Sequence, residues 1–328
     1  MAECIDCPKE TQNGNHRSLF YKKPISRNNF KLEIDYDDSP QEIRRQKFLD
    51  QQKRNRESGY NSTRGILPDG YNSEDEEEAV EEMDVDIKKG KRKFFKYRHK
   101  FYENHLMLSE WLLEVPEDFI DKWIMVPCPE GRRILLVARK GKTKAYNRRG
   151  RIMATFSSAL PGGSSEDYKS SCSMLDCIWQ PREKKYYVMD ILAWSDYPLT
   201  NCDTEFRFYW LQRQLGEIKE LEEKNLINNF PILPLQRAFC DTDLCSILEN
   251  LPPMSLDGIL FFHREADYTH GRTPLVTWLK PFMLPEILGI SVPSSMSEKP
   301  NGYIDLEHYI SKKKKTCDLM ETVSDETS

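Results

Sequence analysis

Trp278 and Lys280 stand two residues apart near the end of the stretch Leu256–Pro281, LDGILFFHREADYTHGRTPLVTWLKP. On a strand, residues at that spacing share a face. An electron-rich indole beside an ammonium suits a ligand with a flat cationic ring and phosphates. The same pair also fits a buried packing tryptophan with a solvated lysine at a strand end, because large aromatics mostly serve as packing. The elements around the pair read clearly. Gly258–Phe262 and Thr273–Leu279 are short apolar runs of strand-forming residues, and Pro274 allows the first residues of the second to be only an edge or an entry. Arg264–Arg272 between them carries a glycine and several ionisable groups and reads as a loop over a surface.

The chain has 328 residues, of which 31% are charged and 38% hydrophobic, enough for one large core with part of the chain unable to bury itself. The net charge is -5, but it is spread in blocks. Nine cysteines is an odd count, and Met1–Glu10 has no apolar leader core, so a reducing compartment is expected. No apolar stretch approaches a membrane-spanning length. Cys4 and Cys7 form a lone CxxC without a second pair at zinc-ligand spacing, and the six histidines are scattered, so no metal or cofactor is expected.

Residues 1–38 are polar and broken by Gly14 and Pro24, and disorder is expected there. Ser39-Pro40-Gln41-Glu42 then reads as a helix start, with Ser39 capping and Glu42 closing a capping box. The helix that follows has few apolar residues and carries Arg44, Arg45, Lys47, Lys53, Arg54 and Arg56, so it is expected to order on an acidic partner instead of docking on its own domain. Ser73–Asp86 is an acidic block of linker type, and Lys88–Lys100 is as basic as that block is acidic. The basic tract fits an import signal, a nucleic-acid contact or a counter-charge to the acidic block.

A globular texture begins near Tyr102. Leu106–Val115 reads as a short helix. Trp123–Val126 and Ile134–Ala138 read as strands, and Ala138–Gly150 as a hairpin with a basic rim. Met174–Trp179 and Tyr186–Trp194 read as paired strands. Asp203 is a helix cap before an apolar side made by Phe206, Trp210, Ile218 and Leu221, and Thr242–Leu248 and Pro285–Leu288 read as further helical turns. After Val292 a loose tail is expected. The resulting fold class is α+β, rich in antiparallel strands. The domain boundaries are an arm over 1–64, a linker over 65–100, a globular domain over 101–292 and a flexible tail over 293–328.

Several blocks, in order, resemble those of the snurportin family: LMLSEWL at Leu106–Leu112, LPGG at Leu160–Gly163, LDC at Leu175–Cys177, FRFYW at Phe206–Trp210, DGILFFH and TPLVTWL. That family consists of import adaptors for trimethylguanosine-capped spliceosomal snRNPs. The DG-apolar strand before a Trp-Leu-Lys strand is also distantly similar to mRNA guanylyltransferases, which implies a nucleotidyltransferase-like fold. Guanylyltransferases use a lysine nucleophile in Lys-x-Asp-Gly-x-Arg. The matching stretch here is Cys128-Pro129-Glu130-Gly131-Arg132-Arg133, with the arginine kept and a cysteine in the nucleophile's place. The expectation is a pocket that binds a capped end without catalysis.

The resemblance implies a set of roles. Trp278 would stack on the methylated guanine, Ser109 and Trp111 would border the cap and the next nucleotide, Cys128 and Arg133 would line the base and phosphate side, and Arg148 would be a phosphate contact, with Lys280 beside the indole. An arm of importin-β-binding type would use Arg17, Lys22, Lys23, Arg44, Arg45, Lys47, Lys53, Arg54 and Arg56. The partners implied are the capped snRNA, importin-β and an exportin, although the leucine-bearing start that serves exportin binding is not visible in Met1–Asn15. Shuttling between cytoplasm and nucleus follows. The competing readings are an active guanylyltransferase or ligase-like nucleotidyltransferase, and a general RNA-binding protein working through Lys88–Lys100 and the basic hairpin.

Overall fold

The computed structural model describes residues 39–57, 102–165, 171–252 and 254–312. Arg17, Lys22, Lys23, the Cys4/Cys7 pair, the acidic block, Lys88–Lys100 and the chain beyond 312 lie outside the described residues. The elements up to the first sheet hairpins are α1 (Gln41–Glu57), β1 (Met107–Trp111), α2 (Phe119–Lys122), β2 (Trp123–Pro129), β3 (Arg132–Arg139), β4 (Lys142–Tyr146) and β5 (Ile152–Phe156). They are followed by β6 (Cys172–Gln180), β7 (Lys185–Trp194), β8 (Tyr197–Pro198), α3 (Thr204–Glu217), β9 (Ile232–Pro234), β10 (Ala238–Phe239), α4 (Leu244–Glu249), β11 (Leu256–His263), β12 (Gly271–Leu279) and α5 (Leu284–Ile287).

The strands form two sheets. One has the order β1-β12-β11-β2-β10; the other runs β5-β4-β3-β6-β7-β8, with β9 added alongside β7. Pairing is antiparallel except for β1 with β12 and β7 with β9. The α+β expectation therefore holds. Side-chain alternation explains how three cores arise from apolar runs without a polar face. On β11, Leu260 and Phe262 pack into a cluster shared with Leu135, Val137, Met174 and Ile178 of the other sheet, while Ile259 and Phe261 pack on the opposite face with Trp123, Leu284 and Leu306. On β6 the opposite set, Leu175 and Cys177, packs with Leu211 and Leu215 of α3.

Two buried ion pairs brace this frame. Asp176 and Asp190 are single carboxylates inside otherwise apolar strands, and each finds an arginine fork. Arg133 donates Nε and Nη2 to Asp176 at 2.6 Å each. Arg207 donates Nε and Nη2 to Asp190 at 2.9 Å each, with both side chains buried. Bidentate geometry is what makes such burial tolerable, and at Arg207 every guanidinium nitrogen is bonded.

Five expectations are corrected. Leu106–Val115 is not a helix: Met107–Trp111 is a strand parallel to β12, because pairing to a sheet edge outweighs local preference. Asp203 does cap α3, accepting from the Phe206 N–H at 2.7 Å, and of the expected apolar side Leu221 is buried with Trp210 and Ile218 packed against the same core, but the residues that α3 itself buries are Thr204, Arg207, Phe208, Leu211 and Leu215. Phe206 faces outward, since the buried ion pair of Arg207 sets the phase of the helix. The segment Arg264–Arg272 is not only a surface loop. Ala266, Asp267 and Tyr268 are buried, and the Tyr268 hydroxyl donates to Asp176 at 2.7 Å and accepts from the Met107 N–H at 3.0 Å. The chain after Val292 is not loose through 312, because Leu306 and Ile310 are buried and the Tyr303 hydroxyl donates to Glu286 at 2.7 Å.

The fifth correction concerns α1, which docks on the globular domain. Gln41, Arg45 and Gln52 are spaced by four and seven residues, share one face of the helix, and are buried. The Gln41 amide donates to the Trp111 carbonyl at 2.9 Å and accepts from the Leu113 and Glu114 N–H groups. Arg45, 2% exposed, donates to the Glu114 carbonyl and the Gln41 side chain at 2.7 Å each, and lies 5.4 Å from the Trp123 ring. Gln52 bonds Thr269 and the Asp267 N–H. A helix with too little apolar surface thus docks through fully satisfied polar groups, which the count of apolar residues could not register. Ser39 does not cap it: its hydroxyl is buried without a hydrogen-bond partner, and the Glu42 N–H is taken by Glu114.

Candidate functional site

Strand register sets the neighbours of Trp278, which packs at the border of the core shared by the two sheets. Gly258 of β11 lies opposite Cys128 of β2, Leu260 opposite Trp278 of β12, and Trp111 of β1 beside Trp278 on the other side. Trp278 and Cys128 lie against the core between the sheets, whereas the Trp111 side chain packs against the core on the other face of the same sheet, beside Tyr309. Trp278 is half-buried and packs against the cluster between the sheets, so part of its ring is supported and part is open. The indole needs room from its neighbour. A Cβ on Gly258 would lie 2.4 and 2.5 Å from Trp278 Cζ2 and Cη2, closer than real Cβ atoms come.

Lys280 closes the indole's border. Its Nζ lies 5.4 Å from the ring centroid and donates to the Asp257 carbonyl at 2.6 Å and to Asp257 Oδ1 at 2.5 Å. That distance lies within cation–π range. Trp111 is held from three directions. Gln41 bonds its carbonyl, the Leu112 N–H donates to the Trp278 carbonyl at 3.2 Å, and the Tyr309 ring meets its ring edge-on at 6.0 Å. Ser109, half-buried, pairs with Thr273 just before the bulge that separates it from Glu110.

Cys128 is buried, and burial pushes its thiol up to about 12, against the pull of Arg133. At neutral pH it is a thiol, with little nucleophilic character. Burial disfavours the Arg133 guanidinium's charge, but Asp176 more than restores it, and its pKa ends above the ordinary arginine value. Arg133 also donates from Nη2 to the Met107 carbonyl at 2.9 Å. Its first duty is thus to tie β3, β6 and β1 together, and Nη1 is the nitrogen without a bond among the described residues.

Arg148 is exposed on the β4–β5 turn, where its carbonyl accepts from the Asn104 N–H at 3.1 Å, and no described contact joins it to Trp278. Of the arm residues, Arg44 forks onto Glu110 at 2.5 and 2.8 Å, Arg45 is buried as described, and Arg56 pairs with Asp267 at 2.5 Å. Lys47, Lys53 and Arg54 lie on the exposed side of α1. Sequence reasoning missed Asp176, Tyr268, Asp257 and Gly258. A signal for the first was present, since a carboxylate within CSMLDCIW demands a buried partner.

Trp278 and Lys280 thus stand together, with the buried Cys128 two strands away in the same sheet and Arg133 on the opposite sheet. A profile of the family described as Snurportin1, m3G cap-binding domain, matches residues 105–281, and the chain belongs to that family. Among solved structures, the chain is similar to the ligase domain of LigD from M. tuberculosis. The identity is 13% and the TM-score 0.37, over 56% of this chain and 60% of that one. A mycobacterial DNA ligase D complexed with ATP and MES is similar at 14% identity and TM-score 0.36, over 53% and 58%. A Lig E DNA ligase structure follows at 11% identity and TM-score 0.34, over 53% and 67%. The chain thus spans about three fifths of the length of the first two ligase chains.

Proposed function

We propose that this protein is a non-enzymatic nuclear import adaptor. It binds the 5′ trimethylguanosine cap of spliceosomal snRNAs at Trp278 and links the particle to importin-β through α1 and the preceding basic residues, shuttling between cytoplasm and nucleus. The observation that carries cap binding is the half-buried indole of Trp278 at the border of the core between the sheets, within the family's matched segment. N7 methylation makes guanine cationic, and an indole face attracts such a ring beyond ordinary stacking. Two methyls on N2 remove the donors a carboxylate would read, so an apolar wall suits this cap. The neutral thiol at Cys128, with its pKa near 12, argues against a covalent nucleotide intermediate.

The importin-β link has a structural condition. Arg44, Arg45 and Arg56 are engaged by Glu110, by the Glu114 and Pro274 carbonyls, and by Asp267. A receptor that uses these arginines must draw α1 off the globular domain, so its apparent affinity is the intrinsic affinity multiplied by the fraction of chains with α1 undocked. Incubation with radiolabelled GTP or ATP and a divalent metal tests the non-enzymatic part. No labelled protein band is expected. A covalent band that disappears in Cys128→Ala overturns the adaptor reading in favour of a nucleotidyltransferase.

A further inference from the structure

Asp257 sits at a register shift in β11, one residue before the glycine that makes room for Trp278. Its carbonyl and its carboxylate together hold the Lys280 ammonium, and that ammonium sits over the Trp278 ring. A bare ammonium in that place would draw the anionic phosphates of a ligand but repel a cationic ring stacked on the same indole. The carboxylate 2.5 Å away cancels most of that repulsion. We propose that Asp257 is a specificity-determining residue of the Trp278 site: by neutralising Lys280, it lets the indole discriminate in favour of a positively charged base over a neutral one. This inference rests on the cap-binding reading of the same site.

The two members of the pair have opposite expected effects on discrimination, which separates electrostatics from disruption. The experiment uses the full chain and two ligands, a trimethylguanosine-capped dinucleotide and the same dinucleotide lacking only the N7 methyl. The pH is kept below that at which the methylated ring loses its N1 proton. Both ligands carry the same phosphates, so the ratio of their dissociation constants isolates the charge on the ring. In Asp257→Asn the preference for the N7-methylated ligand should fall by about 1.5-fold to fivefold, the range for partly exposed charge pairs. In Lys280→Met, which leaves Asp257 beside the indole without a counter-charge, the preference should rise. High salt should shrink both changes. A ratio unchanged in Asp257→Asn, or moved in the same direction by both variants, overturns the inference while leaving cap binding standing. A wild-type chain that binds neither dinucleotide overturns the cap-binding reading itself.

Discussion

A cationic ring on an indole responds to whatever lies within a few ångströms of it, and around Trp278 those neighbours are Gly258, Lys280 and Asp257. On the proposed reading, the indole supplies attraction, the glycine supplies room, and the ion pair sets the charge the ligand meets. Trp278→Ala should therefore weaken cap binding by about 10- to 100-fold, the worth of one stacked base, with the melting temperature changed little because the ring is only half-buried. Isothermal titration with a cap analogue reads the affinity. A variant that binds as tightly as wild type would make Trp278 a packing residue, which is the alternative its sequence position also allowed. Trp278 and Lys280 were legible from their spacing, although β12 ends at Leu279 and Lys280 stands just beyond it in extended conformation. Asp257 and Gly258 were not, since a strand position gives no hint that a neighbouring indole needs the missing Cβ. Cys128 was visible as a replaced nucleophile, but its neutral state depends on burial that only the folded chain creates.

At the scale of elements, α1 departs furthest from expectation. Its bounds follow from the sequence, but its docking depends on Gln41, Arg45 and Gln52 meeting carbonyls and side chains of β1, β12 and the loop between β11 and β12, which are more than 60 residues away in sequence. No local pattern encodes such partners. Burial pulls the Arg45 pKa down, and Glu42 offsets this in part. Arg45→Ala removes a buried, fully bonded cation and should release α1 at a cost of about 3–5 kcal/mol, seen as lost hydrogen-exchange protection over 41–57 with the sheets still protected. Protection that persists would mean that the remaining contacts hold the helix alone. Asp267 lies under the end of the same helix. Burial outweighs the Arg56 guanidinium and lifts its carboxyl to about 6 from 3.8. An acid raised in this way stabilises the fold below pH 4, and that contribution is lost as pH rises through 6, about 3 kcal/mol in all. Asp267→Asn should remove this slope and raise the melting temperature at pH 7 relative to wild type. Parallel wild-type and variant stability profiles between pH 4 and 7 would show that Asp267 ionises normally.

For the whole molecule, β1, β12, β11 and β2 pack against β3 and β6 over a shared core with Trp278 at its border, and a basic helix is docked beside the β1–β12 edge. The strand pairs and the α+β class could be read from alternation and turns. The closure of the second core by residues 303–312 could not, because Tyr303, Leu306, Tyr309 and Ile310 are too few to mark a docked segment among polar neighbours. The central claim is that the Trp278 site reads a trimethylguanosine cap. It is tested most directly by titrating the full chain with trimethylated and monomethylated cap dinucleotides while following tryptophan fluorescence. Quenching that saturates at a lower concentration of the trimethyl than of the monomethyl cap, and that is lost in Trp278→Ala, is the result expected. Equal quenching by both caps, or quenching that persists without Trp278, would contradict the account.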